Sequence, residues 1–197
     1  MRRLLLALVL SLSACQPAEP PGHLAASALG IREPELLLEL RAMVNKDQAA
    51  RNLSIDHPDD IPLVLATAAI DHANTTRMKE IIAHHGWPGH RLVGHEGAGD
   101  AWLLVQHADA DRAFQKLCLA RLAVAVAAGD ADPIELAYLE DRVAVADGRP
   151  QRFGTQFGAD GPQPIVDEDN VDERRAAVGL GSMEEYRREM RATYGPR

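Results

Sequence analysis

Three polar clusters carry the residue types that chemistry needs. The first is Asp47, Gln48 and Arg51. Leu36, Leu40, Met43, Asp47 and Arg51 recur at spacings of three and four, so the polar residues continue an apolar helix face. Polar groups on a buried face need partners, because an unpaired one costs about 1–3 kcal/mol. Either Asp47 and Arg51 pair at i,i+4 at a helix end, or they line a pocket between helices. The second cluster is Gln106-His107-Ala108-Asp109, directly after the apolar run Trp102 to Val105. A histidine at a helix C-terminus stands beside unsatisfied carbonyls and the negative dipole end, which favours imidazolium. It is either a general acid–base or a simple cap. The third cluster is Tyr138, Asp141 and Arg142 on one helix face, followed by Gln151, Gly154, Thr155 and Gln156. Arginines beside amides suit carboxylate or phosphate recognition, and they equally suit tying a loop to a helix. Arg174-Arg175 adds a further basic pair.

Taken together these residues predict one pocket. His107 would transfer the proton, oriented by Asp141 or Asp109. Arg51 and Arg142 would hold an anionic group, and Asp47, Gln48, Gln151 and Gln156 would orient it. The reaction class such a set allows is acid–base or hydrolytic chemistry on a small anionic ligand. The alternative is a non-catalytic domain that binds another envelope protein. The same residues would then be a structural network, with Phe157 as an exposed anchor. A shared, solvent-accessible cleft separates the two readings.

Other signals are weaker. His84, His85, His90 and His95 surround Gly86-Trp87-Pro88-Gly89, but there is no H-E-x-x-H and no C-x-x-C. A solvated, flexible loop without a metal is the expectation. Neither a phosphate-binding glycine loop nor G-x-S-x-G occurs, and no cofactor is implied. Cys118 lies among Phe114, Leu117, Leu119 and Leu122, so it reads as a buried, inert thiol.

The elements that must position these residues are helical. A helix starts at Pro34. The pattern over Ile61 to Ile82 is mostly helical, with Asn74-Thr75 an optional cap for a new helix. Ala98 to Ala108 reads as a buried helix, and Arg112 to Ala128 as an alanine- and leucine-rich one ended by Gly129. Asp132-Pro133-Ile134-Glu135 opens a helix that runs to about Asp147. Residues 150–170, rich in Gly, Pro and Gln, read as a long ordered loop with a short hairpin around Gly158 to Gly161. Val171 to Val178 is a short helix, and Ser182-Met183-Glu184-Glu185 opens a last, charged one. The prediction is an all-α single domain of six or seven helices over residues 34–197.

The amino terminus reads as an address. Arg2-Arg3, the apolar run Leu4 to Leu10, and Leu12-Ser13-Ala14-Cys15 resemble a bacterial lipoprotein signal. The run is too short to span a bilayer, which takes about 20 residues. Residues 1–14 would be removed, Cys15 would carry lipid, and residues 15–33 would form a tether containing the Pro-rich Gln16 to Gly22. The domain would then face the periplasm, with Gln16 slightly favouring the outer membrane. The 197-residue chain has 21 Lys and Arg against 29 Asp and Glu, a formal charge of −8. Loss of Arg2 and Arg3 leaves 19 cations and a charge of −10. Nucleic acid is therefore excluded as a main partner. The membrane through Cys15, a small anion or an envelope protein remain.

The motifs in combination resemble an uncharacterised bacterial family of unknown function whose members are helical and often exported. They are Asp47-Gln48-x-x-Arg51, Asp71-x-x-Asn74-Thr75, Gly86-Trp87-Pro88, Val93-Gly94, the stretch Trp102 to Asp109, Leu136 to Arg142, Gly148 to Gln156, and Arg174-Arg175 to Leu180. The resemblance covers roughly residues 35–190. Phe153 departs from it, since relatives carry Tyr there. No activity transfers with the resemblance, which implies only that the polar clusters coincide with family motifs.

Overall fold

The structure is a computed structural model that describes residues 30–158 and 160–194. The predicted signal, Cys15 and nearly all of the predicted tether lie outside the described residues. Seven α-helices are present among those described: α1 (Pro34–Asp56), α2 (Ile61–His85), α3 (His90–Gln106), α4 (Arg112–Ala127), α5 (Pro133–Ala146), α6 (Val171–Ala177) and α7 (Met183–Tyr194). Two short strands, β1 (Phe157–Gly158) and β2 (Gly161–Pro162), pair antiparallel in the loop between α5 and α6. The fold is all-α, and the hairpin falls where the turn residues predicted it.

Helices α1 and α2 form a long antiparallel hairpin. Pro58 and Pro62 bracket its turn, and Asp60 caps α2 by accepting from the Leu63 amide at 3.2 Å. Helix α3 packs against both arms, and α4 and α5 pair beside it. The core runs through Leu40, Met78, Ile81, Val93, Leu104, Val105, Leu122 and Leu139. Burial of each such side chain contributes about 1.5–3 kcal/mol. Gly97 lets α1 come close to α3, since a methyl there would stand 2.8 Å from the Leu37 Cδ1.

Two local expectations are corrected. Asn74-Thr75 starts no new helix. α2 continues unbroken, and the Thr75 hydroxyl instead donates back to the Asp71 carbonyl at 2.7 Å. The histidine segment is not a flexible loop either. His84 and His85 end α2 and His90 and His95 belong to α3, with the turn at residues 86–89 between them. That turn is fixed because the His90 amide donates to the Asp130 carbonyl at 2.9 Å and the Arg91 amide to Asp130 Oδ1 at 2.8 Å. The Gly-rich stretch joins α3 through a break at Gly94, whose φ of 73° favours glycine.

Candidate functional site

His107 is the C-cap of α3, as the sequence predicts, and it meets α1. Its Nδ1 lies 2.9 Å from Asp47 Oδ2 and 3.1 Å from Oδ1. Asp47 is only 1% exposed. Burial works to raise its pKa, but hydrogen bonds from His107 and Gln48 and the charges of His107 and Arg51 outweigh that and hold it at about 2. An ionised carboxylate can only accept, so His107 Nδ1 carries the hydrogen and donates. The free ring nitrogen is then Nε2, which has no hydrogen-bond partner among the described residues. The side chain is 14% exposed, so solvent reaches the ring.

Gln48 and Arg51 complete the α1 part. Gln48 Nε2 donates to Asp47 Oδ2 at 2.7 Å. Arg51 Nη2 lies 3.4 Å from Asp47 Oδ1 and 2.7 Å from Asp71 Oδ1 on α2. Asp71 is pushed up by burial, and the neighbouring Asp47 charge adds to this, against the pull of Arg51. Ligand atoms of Asp47, Asp71 and His107 all lie within 4.8 Å of one another. These three are the residues that could hold a metal. The Arg51 guanidinium bridges the two carboxylates and already supplies a positive charge there. Three buried polar atoms at or beside this site have no partner: Arg51 Nε, Asn74 Nδ2 and Gln106 Oε1. Each carries a desolvation cost of about 1–3 kcal/mol, which a ligand or ordered water would offset.

The turn that carries His107 is held from two other helices. Gln115, fully buried on α4, donates through Nε2 to the carbonyls of Val105 and Gln106, each at 3.2 Å, and to Asp109 Oδ1 at 3.1 Å. It thereby caps the orphan carbonyls at the end of α3. Arg142 on α5 grips Asp109 with two donors, Nε at 2.7 Å and Nη2, and its Nη1 is 3.4 Å from Gln156 Oε1. Burial works to raise the Asp109 pKa, but the Arg142 guanidinium outweighs it and holds it below the usual carboxylate range. Arg142 thus fixes the His107 turn; its guanidinium is committed to Asp109.

Asp141, predicted to act with His107, does something else. It is fully buried and accepts from the amides of Arg152 (2.6 Å), Phe153 (3.0 Å) and Thr155 (2.9 Å) and from the Thr155 hydroxyl (3.0 Å). All its acceptor capacity goes to the 150–156 loop, and no bond joins it to His107. The orienting carboxylate is Asp47. Gln151 is likewise sealed into the loop. It donates to the carbonyls of Gln156 and Gln163, both at 2.9 Å, and accepts the Gln156 amide at 2.8 Å. Arg174 and Arg175 also serve the loop. Arg175, 1% exposed, donates to Phe153 O at 2.7 Å and Gly181 O at 2.6 Å and lies over the Tyr186 ring. Phe157 packs edge-on against Tyr186, with centroids 5.3 Å apart, and is half-buried rather than an exposed anchor.

The predicted set therefore divides. Asp47, Gln48, Arg51 and His107 converge at one point. Asp141, Gln151 and Gln156 build the loop, and Arg142 bridges the two groups. Sequence reasoning placed neither Asp71 nor Gln115 in the site. Asp71 was legible as a carboxylate one turn before Asn74-Thr75. Gln115 gave a weaker signal, an amide on the buried side of an otherwise apolar helix. Cys118 is fully buried, and its thiol is pushed up to about 12 by burial, which makes it inert as predicted.

These features define an all-α domain with a histidine–aspartate pair at a three-helix junction and a loop folded around a buried aspartate. The chain belongs to the family of unknown function DUF6624, whose family model matches residues 34–197. No curated protein and no solved structure matches it.

Proposed function

We propose that the Asp47–His107 pair is an acid–base site acting on a small ligand that carries an anionic or other hydrogen-bond-accepting group. The observation that carries this reading is the pairing itself. Asp47 fixes the ring through Nδ1 and leaves Nε2 free, which is the arrangement proton transfer requires. His107 Nε2 takes a proton from the ligand or from a water beside it, and returns it to the leaving group. Asp47 stabilises the imidazolium formed in between. Gln115 and Arg142 keep the His107 turn in place.

The test is a thermal-shift screen of the protein against panels of metabolites, cell-wall fragments and oxyanions, repeated with His107→Ala and Asp47→Asn. A stabilising ligand whose effect vanishes in both variants supports the site. A ligand whose effect persists in both removes the pair from it. The second reading, a non-catalytic domain that binds an envelope protein, is favoured by one observation. Asp141, Gln151 and Arg175 spend their hydrogen bonds internally, so these motif residues serve structure.

We further propose that the domain is a lipid-anchored lipoprotein of the bacterial envelope, facing the periplasm. The support is the order of Arg2-Arg3, the apolar run, and Ser13-Ala14-Cys15. Two or more acyl chains would make the anchor durable. Cys15→Ser releases such a protein from membranes into the soluble fraction; unchanged membrane association overturns the anchor.

A further inference from the structure

Helix α4 is apolar on two sides. Its inner side, Phe114, Cys118, Leu122 and Ala125, is buried in the core. Its outer side carries Leu117 (48% exposed), Val124 (71% exposed), and the exposed Ala120, Ala123 and Ala127. A helix that is hydrophobic all round belongs in an interior, yet among the described residues nothing covers this outer side. Its charges are equally one-sided. Arg112, Lys116 and Arg121 are all basic, and α4 contains no acid, in a chain of charge −8. Arg121 has no ion-pair partner among the described residues.

The same face continues into a groove of about 650 Å³ between α4, α5 and the loop. Its floor is Leu119, Ala120, Ala123 and Ala144, and its rim carries Lys116, Arg149, Arg152 and Arg174 against Glu140 and Asp167. Asp147 pairs with Lys116 at 2.7 Å and with Arg149 at 3.3 Å, and Glu140 lies 3.7 Å from Arg152. With these acids counted, the face carries Lys116, Arg121, Arg149, Arg152 and Arg174 against Glu140, Asp147 and Asp167, a local excess of positive charge. A second copy of the chain is a poor occupant, because like face would meet like charge.

We infer that this α4 face rests on an anionic lipid surface, with Leu117 and Val124 entering the headgroup boundary and Lys116, Arg121, Arg149 and Arg152 facing lipid phosphates. The chemistry is that of an interfacial helix, in which apolar burial and basic charge act together. Each cation near such a surface adds about 1 kcal/mol, roughly fivefold in binding. The contact does not depend on lipid at Cys15. With the anchor in place, it would set the domain's orientation on the membrane.

The experiment uses the full chain carrying Cys15→Ser, so that no lipid is attached. Flotation is measured with vesicles of phosphatidylcholine alone and with 30% phosphatidylglycerol, at low and high salt. The expected result is binding that rises with phosphatidylglycerol and falls with salt. Lys116→Glu combined with Arg121→Glu should lower it by about tenfold or more, and Val124→Asp should lower it separately. Both changes lie at exposed positions, and thermal melting checks that each variant is folded. Equal binding to neutral and anionic vesicles overturns the inference. So does binding insensitive to both variants, or a preference for inorganic phosphate or an acidic protein over vesicles. Residues 1–29 are the same in every variant, so any contribution of theirs cancels.

Discussion

Two buried aspartates use their oxygens in opposite ways. Asp141 meets backbone amides and one hydroxyl, all within the chain's own loop. Asp47 meets three side chains, and one of these, His107, has a second nitrogen left over. The difference separates structure from chemistry, and the Asp47 site carries a pH signature. The Asp47 pKa is held at about 2, below its ordinary value of 3.8. A depressed carboxyl contributes stability that is present above the unfolded pKa and is lost as pH falls through the folded one. We expect stability to drop between about pH 4 and pH 2. Asp47→Asn should flatten that drop and cost about 1–2 kcal/mol at pH 7, as read by denaturant unfolding across pH. Glu135 behaves in the reverse sense. Burial, reinforced by the nearby Asp132, pushes it to about 7, and its buried Oε2 has no partner. Its folded form resists ionisation, so stability falls as pH rises from about 4.5 to about 7 and stays lower above. Glu135→Gln removes the charge at nearly constant size and should stabilise the protein by about 1–2 kcal/mol at pH 8 but hardly at pH 4. Equal effects at the two pH values would refute this account.

At the scale of elements, the loop after α5 is an extension of that helix's side chains. Removing Asp141 leaves three amides and the Thr155 hydroxyl without an acceptor. At about 1–3 kcal/mol for each buried unpaired donor, Asp141→Ala should cost at least about 3 kcal/mol. Limited proteolysis should then cut within residues 149–167 before the helices. Cleavage elsewhere first would show that the loop does not depend on Asp141. Gly94 tests α3 in the same way. Its φ of 73° is unfavourable for an L side chain, and a methyl there would stand 3.0 Å from Ile31 Cδ1. Gly94→Ala should cost about 1–2 kcal/mol in thermal unfolding. The sequence made α3's end legible but not its beginning. Gly94, Gly97 and Gly99 suppress helix propensity, so residues 90–97 read as loop until Asp130 and Leu37 are seen against them.

Over the whole molecule, stability is concentrated at α3. It contacts α1, α2, α4 and α5, and Val93, Leu104 and Val105 are almost wholly buried. The distal end of the α1–α2 hairpin is the opposite. Leu53, Ile55, Ile61, Val64 and Leu65 are all more than 40% exposed. Hydrogen exchange should therefore open residues 53–66 first and the Leu104 and Val105 amides last. Slow exchange at the tip would mean that it is covered in solution.

Local pattern was enough to read the all-α fold, the hairpin at Gly158–Gly161, the inert Cys118 and the convergence of Asp47, Gln48 and Arg51 on a buried face. Each rests on a period or on a neighbour within a few residues, which the chain order states directly. Tertiary structure alone decided which carboxylate faces His107. Asp47 is 60 positions away and Asp141 only 34, yet Asp47 is the partner. Hydrogen bonding is directional and short-ranged, so pairing follows how helices cross rather than how far apart residues stand in sequence. For the same reason the loop motif proved to be a clamp around Asp141, and Asp71 and Gln115 entered the site only once α2 and α4 were packed beside α3.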